Sequence, residues 1–227
     1  MSAPATDPRL RAAAGFVRQG AVFADIGTDH AYLPLFLLAE GRITRAVCTD
    51  IREGPLAVAR THAGKTPYAA HMRFYLADGA ACLRDEGVTD LAVCGMGGEL
   101  ICDILSRAPF LEKEGIRLIL QPMTRHAALR RYLAAHGFAI VGEAFPLSEG
   151  KRYVVLAAEY SATPYSLTPL ECELGVLTEK KLADREFRDY AERRRRTWEK
   201  IAKGKMRGGE RAAEEEMLLS EFNELFR

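Results

Sequence analysis

From residue 7 to about residue 160, short apolar runs alternate with stretches whose apolar residues recur every three or four positions. The first pattern predicts buried strands and the second amphipathic helices. A helix over 7–18 precedes a strand over Ala21–Ile26, and a helix over 34–40 follows. Then come a strand over 46–49, a helix after Gly54, strands over Met72–Leu76 and 91–94, and a helix over 99–106. A strand over 116–122 and a helix over 126–136 complete the series. Strands and helices alternating at this spacing predict an α/β fold with a doubly wound parallel sheet. The rhythm then breaks. Strands over 138–145 and 152–159 are joined by a short turn at Ser148, Glu149 and Gly150, and a parallel return needs about a dozen residues or more. An antiparallel hairpin should therefore close the sheet.

After Tyr160 the pattern changes. "SATPYSLTP" reads as a linker, placing a domain boundary between residues 162 and 163, and helix-forming, charged sequence follows. Leu170, Leu174 and Leu177 fall at helical spacing, as do Phe187 with Tyr190, Trp198 with Ile201, and Leu218 with Phe222 and Leu225. A break over 204–209 predicts a small helical hairpin, a short coiled coil, in residues 163–227. Its charge is segregated: residues 193–211 hold nine Lys or Arg against two Glu, and residues from Ala212 onward hold five Glu against one Arg. The run Arg193, Arg194, Arg195 and Arg196 has few acids close by, so not all four are expected to pair locally. Guanidinium clusters suit phosphate backbones, and a nucleic-acid contact is expected here.

Composition adds limits. The 227 residues allow one substantial domain plus an appendage, and 48% apolar with 28% charged residues is ordinary for a globular protein. A net charge of +1 gives no sign of a nucleic-acid partner by itself. The five cysteines include no C-x-x-C pair, which favours free thiols in a reducing compartment. No run approaches the ~18 apolar residues of a membrane helix, and the N-terminus lacks a signal-peptide core. A cytoplasmic monomer without membrane contact is the expectation.

The chemistry lies at the ends of the predicted strands. Asp25 and Gly27 close the first in "ADIGTDHAYLP", with Asp29 and His30 just beyond; Asp50 closes the second in "CTDIREGP". Asp78 and Gly79 follow the third, and Gly95, Gly97 and Gly98 follow the fourth in "CGMGGEL". Ligands of open α/β sheets bind along that edge, so four loops should converge on one crevice. Asp50 stands where nucleotide-binding folds grip ribose hydroxyls, and Asp78 can accept from an adenine amino group. A dinucleotide brings a pyrophosphate, which seeks bare N–H groups at a helix start and is repelled by Asp29. S-adenosylmethionine carries a sulfonium and an ammonium and no phosphate. The acids therefore favour a methyl donor over NAD, and Ala31 also disfavours the dinucleotide.

"ADIGTDHAYLP", "DIREGPLAVAR", "ADG", "VCGMGGELI" and "LILQPMT" together resemble the TrmK-type bacterial tRNA methyltransferases, which methylate N1 of adenine 22 in the D-arm region. The resemblance covers residues 8–160, and the tail is similar to that family's C-terminal coiled-coil domain. It implies a Rossmann-like class I S-adenosylmethionine methyltransferase sheet, parallel with an antiparallel C-terminal hairpin, over residues 1–162. A tRNA-contacting helical domain over 163–227 would follow.

The resemblance further implies S-adenosyl-L-methionine as cofactor, tRNA as partner and no metal. Asp25, Ile26, Gly27, Asp29, His30, Asp50, Ile51, Asp78, Gly79, Gly95, Met96 and Gly97 are expected to hold the cofactor. Asp29, Met96 and Gln121 are the expected catalytic residues, with Gln121 against the base edge and Tyr32 and Met123 as apolar walls. Arg125, Arg130, Arg193, Arg194, Arg195, Arg196, Lys200 and Lys203 are expected to contact RNA. One departure is Met123, where many members carry Asn. Two rival readings are a methyltransferase of the same fold acting on another RNA and a non-catalytic RNA-binding adapter.

Overall fold

A computed structural model describes residues 7–226. The chain divides into two compact units, Met1–Tyr165 and Ser166–Arg227. In the first, α1 (Pro8–Phe16) starts at Asp7, whose carboxylate accepts from the Arg9 backbone N–H, with Pro8 at the first helical position. Then follow β1 (Ala21–Ile26), α2 (Tyr32–Ala39), β2 (Ile43–Asp50), α3 (Glu53–Gly64) and β3 (Met72–Leu76). Next come β4 (Asp90–Gly97), α4 (Gly98–Ser106), β5 (Arg117–Thr124), α5 (His126–Ala135) and β6 (Phe138–Ala144). The unit ends with the short β7 (Leu147–Ser148) and β8 (Lys151–Arg152) and the longer β9 (Val155–Tyr160).

Seven strands form one sheet in the order β3-β2-β1-β4-β5-β9-β6. β1 pairs in parallel with β2 and β4, and β9 pairs antiparallel with both β5 and β6. The sheet is thus mostly parallel and closes on an antiparallel pair, as the strand spacing predicts. The link is longer than expected, because β7 and β8 form a separate two-stranded ladder between β6 and β9. β1 and the second half of β2 are buried on both faces, as helix-covered parallel strands must be. Phe23, Leu37, Cys48, Ala59 and Ile119 meet in the core beside them. Strand order reverses between β1 and β4, which opens a crevice at their carboxyl ends. Gly98 sets α4 there: a β-carbon at this position would lie 2.9 Å from the Thr124 carbonyl and closer still to that of Arg125.

Tyr165 is held to the first unit by its own backbone N–H, which donates to Ala134 O (3.0 Å), and by its hydroxyl on Phe138 O. Part of the expected linker is helix: Thr168 and Glu171 form a capping box and Pro169 opens α6 (Pro169–Leu174). The second unit continues with α7 (Glu179–Ala183), α8 (Arg185–Arg207) and α9 (Ala213–Leu225). α8 runs through Gly204, so the break falls later than the glycines suggested, after Arg207. The reversal is fixed by Gly209 in a left-handed conformation (φ +77°) and by the Lys205–Glu215 ion pair at 2.7 Å. Phe187, Tyr190, Trp198, Leu218 and Phe222 are buried as their spacing predicts, while Ile201 faces outward and Ala202 packs in its stead.

Candidate active site

The loop leaving β1 is pinned to β2: the Gly27 and Thr28 N–H groups both donate to Thr49 O, at 2.8 and 2.9 Å. Gly27, Asp29 and Ala31 all adopt positive φ (69°, 48° and 58°). At Gly27 the turn needs glycine, because the Met96 methyl stands where a β-carbon would project. Asp29 and Ala31 have no such freedom, and non-glycine residues held there cost about 1–3 kcal/mol each and cluster at functional sites. The Asp29 side chain is 64% exposed.

Asp25 is enclosed at the end of β1, where its carboxylate accepts from the Thr28 hydroxyl at 2.7 Å. Burial pushes its pKa up to about 7; the Thr28 hydrogen bond opposes that shift and the nearby Asp50 adds to it. Asp50 is also enclosed and accepts from the Arg52 N–H at 2.9 Å. Among the described residues, neither these two acids nor Asp29 forms an ion pair with Lys or Arg. Asp29 instead approaches His30 Nε2 at 3.6 Å. The His30, Tyr32 and His62 rings form a triangular cluster, with centroids 5.3, 5.5 and 5.8 Å apart, and His62 Nδ1 donates to the His30 carbonyl.

A cavity of about 330 Å³ opens at these strand ends. Of the expected residues, Asp25, Gly27, Asp29, His30, Gly95 and Gln121 line it, with Tyr32 beside them. Asp50, Ile51, Asp78, Gly79, Met96 and Gly97 do not line it: the first four belong to the ends of β2 and β3, Met96 packs its methyl against Gly27, and Gly97 leads into α4. Ile51 is exposed, whereas the Ile26 side chain is buried in the core, so only its backbone faces the loop. Asp78 departs from its expected freedom: Arg107 holds its carboxylate at 2.6 Å and keeps its pKa below the usual carboxylate value. Gln121 is buried with its oxygen accepting from the Gly95 N–H (3.1 Å) and its nitrogen donating to Pro122 O (3.0 Å). It therefore shapes the β4 loop, and its hydrogen-bonding edge is occupied.

The cavity also holds residues that the motifs did not mark: Asp7, Arg9, Leu10, Thr28, Leu33 and Cys94. Thr28 had a legible signal, since it follows Gly27 directly. Asp7, Arg9 and Leu10 come from α1, which precedes every strand-end motif, and no sequence spacing ties them to the site.

The expected RNA contacts divide. Arg125 is exposed at the start of α5, with Glu99 3.6 Å away. Arg130 is a correction: its side chain is fully buried and pairs with Glu143 at 2.8 Å, so no phosphate reaches it. The Arg193–Arg196 run is a second correction, because every member finds a carboxylate. Arg193 meets Asp189, Arg194 meets Glu173, Arg195 meets Glu192 and Glu199, and Arg196 meets Glu192. Lys200 and Lys203 are exposed on the same helix.

A family described as "Methyltransferase domain" matches residues 6–156. The tRNA (adenine(22)-N(1))-methyltransferase of Bacillus subtilis is 31% identical over 169 residues, covering 74% of this chain and 71% of that protein. A Streptococcus agalactiae protein of the NADB-Rossmann superfamily superposes with a TM-score of 0.85 at 28% identity, covering 98% of each chain. A Streptococcus pneumoniae protein, for which tRNA m1A22 methylation is the candidate activity, was solved in complex with S-adenosyl-L-methionine. It superposes with a TM-score of 0.83 at 29% identity over 96% of this chain and 98% of that one.

Proposed function

The chain belongs to the TrmK-type tRNA (adenine(22)-N1)-methyltransferases, and on that premise we propose how its residues divide the work. The enzyme methylates N1 of adenine 22 in tRNA with S-adenosylmethionine as donor. The observation that carries this reading beyond the family likeness is a group of three carboxylates at the ends of β1 and β2, Asp25 and Asp29 lining the cavity and Asp50 beside it, none paired with Lys or Arg among the described residues. Such a site fits a phosphate-free, cationic ligand.

S-adenosylmethionine supplies an electrophilic methyl group on a positively charged sulfonium. Asp25 and Asp29 favour that charge, Gly27 lets the backbone approach closely, and Asp50 accepts from ribose hydroxyls. Ile26 contributes backbone, and Ile51, Gly79, Met96 and Gly97 border the cofactor. Asp78 joins them when its carboxylate is shared with or released by Arg107. Adenine N1 carries an in-plane lone pair and no proton, so no general base is required before attack. The methylated ring is cationic, and an acid at Asp29 stabilises the charge as it develops. The remainder of the rate comes from alignment of acceptor and donor, with Gln121 and Gly95 fixing the wall of the cavity. N1 lies on the pairing edge, so the target base must be unpaired or extruded.

The helical unit, with Lys200 and Lys203 exposed on α8, is proposed to contact the tRNA backbone, as is Arg125 at the start of α5. The enzyme is proposed to act as a cytoplasmic monomer. In support, all five cysteines are free, and no helix among the described residues is long and apolar enough to cross a membrane.

The test is methylation of bulk unmodified tRNA with a labelled donor, followed by mapping of the modified nucleoside. Label in 1-methyladenine at position 22 is the expected result. Label confined to another RNA would overturn the substrate assignment, and absence of donor binding by calorimetry would leave an RNA-binding adapter.

A further inference from the structure

Among the described residues lining the strand-end cavity, Arg9 is the one Lys or Arg. It reaches the cavity from the first turn of α1 and belongs to none of the strand-end motifs. A guanidinium that grips phosphate does so through its N–H edges, and here the Nε–Nη2 edge is taken by Asp7. Nε donates to both Asp7 oxygens (3.0 and 3.1 Å), Nη2 donates to Asp7 Oδ2 (2.7 Å), and Nη1 lies 3.6 Å from Met123 Sδ. One side of the group rests over the Tyr153 ring, with Cζ 4.8 Å from its centroid. The opposite flat face and the outer Nη1–Nη2 edge remain for a ligand, and of the two only the flat face can carry a planar base. Asp7 also accepts from the Arg9 backbone N–H at 2.8 Å, so backbone and side chain converge on one carboxylate that fixes the direction of the group.

We propose that Arg9, backed by Tyr153 and clamped by Asp7, is the stacking surface on which the extruded methyl-acceptor adenine lies during transfer. The inference rests on the adenine-methylation reading above. Flat guanidinium groups are a recognised support for splayed-out bases. The Asp7 pairing matters chemically, because a bare guanidinium beneath the ring would oppose the positive charge it acquires at N1. With Asp7 in place the platform carries no net charge. Tyr32, 47% exposed, lines the same cavity and offers the base a second flat surface. Met123 also acquires a role: its sulfur lies 3.6 Å from Arg9 Nη1 and 3.5 Å from Gln121 Nε2, tying the platform to the cavity wall.

The discriminating variant is Arg9→Lys in the full chain, which keeps the charge and loses the plane. Stacking predicts that kcat/KM for tRNA falls by about tenfold or more, much as in Arg9→Ala. Donor affinity by calorimetry should stay within about twofold of wild type, which also reports an intact fold. The slope of log tRNA affinity against log salt should be unchanged in both variants, whereas loss of a phosphate contact lowers it by about one. Tyr153→Leu, which removes only the backing, should cost about threefold. The proposal is overturned if Arg9→Lys methylates like wild type, if Arg9→Ala flattens the salt slope, or if either Arg9 variant loses donor binding. Should wild type itself form no 1-methyladenine, the methylation reading fails and the platform with it. That case is recognised because the silent protein is the unmutated one.

Discussion

In the crevice beyond β1 and β2, Asp25, Asp29 and Asp50 stand without a Lys or Arg partner among the described residues. Along α8, each of Arg193 to Arg196 meets a carboxylate. The sequence makes the second region look the more reactive, with four like charges in a row, and the first merely acidic. The structure inverts that. Exposed ion pairs contribute about 0–1 kcal/mol each and leave little charge unspent, whereas a carboxylate enclosed without a cation is costly to keep ionised. Uncompensated charge therefore marks the place prepared for a ligand, and charge density alone does not.

The contrast is open to attack, most forcefully at Arg130. If a buried, paired arginine is structural, Arg130→Ala should strand Glu143 and destabilise the first unit by about 3–5 kcal/mol, read as a lowered chemical-denaturation midpoint. A variant of normal stability with weakened tRNA binding would return Arg130 to the RNA surface.

Next in size is Asp29→Ala. An uncompensated functional acid predicts a loss of about 100-fold in turnover, with the fold retained and the melting temperature at most modestly lowered, because Ala tolerates the positive φ less well than Asp. Near-normal methylation would end its assigned role.

The enclosed Asp25 supplies a pH test. Its folded pKa of about 7 lies above the unfolded value of about 3.9, so the unliganded native state holds the extra proton. Its contribution to stability is fully present below about pH 4 and is lost as pH rises through 7. A cationic donor favours the ionised form, so donor affinity should rise roughly tenfold between pH 6 and pH 8. Calorimetry should register proton release on binding near neutrality. A flat affinity profile would detach Asp25 from the donor.

The smallest effect concerns α8 itself. Lys200→Gln with Lys203→Gln should weaken tRNA binding about threefold to tenfold and lower the salt slope by about one to two. Arg194→Gln should lower the melting temperature and leave the slope nearly intact. Should the arginine variant instead flatten the slope more than the lysine pair, the paired charges are the RNA contacts after all.

Much of the site was legible from the sequence, and for a local reason. Asp25, Gly27 and Asp29 follow an apolar strand, and strand ends of an α/β sheet share one edge. The same rule placed Gly95 and Gln121, though not the hydrogen bond between them that takes up the Gln121 oxygen. Arg9 and Asp7 were out of reach because α1 comes before the sheet, and only folding lays it beside β5 and the β8–β9 segment. Arg130 and Arg131 are adjacent in the chain, and helical phase turns the first inward onto Glu143, a residue of β6.

The arginine run failed as a signal for a related reason. Of its partners only Glu199 lies in the window that looked so basic; Asp189 and Glu192 stand one turn upstream on α8, and Glu173 is on α6.

The sequence by itself determined the alternation of strands and helices, the antiparallel closure of the sheet and the row of acids and glycines at its edge. These follow from periodicity and strand-end position, which are properties of neighbouring residues. The tertiary structure decided the rest of the charge compensation: it buried Arg130 against Glu143, joined Arg194 to Glu173 and Asp78 to Arg107, and left Asp25, Asp29 and Asp50 without a Lys or Arg partner among the described residues. Arg193, Arg195 and Arg196 pair within α8 at helical spacing, but Arg130, Arg194 and Asp78 depend on partners brought in by other elements, which no local pattern records.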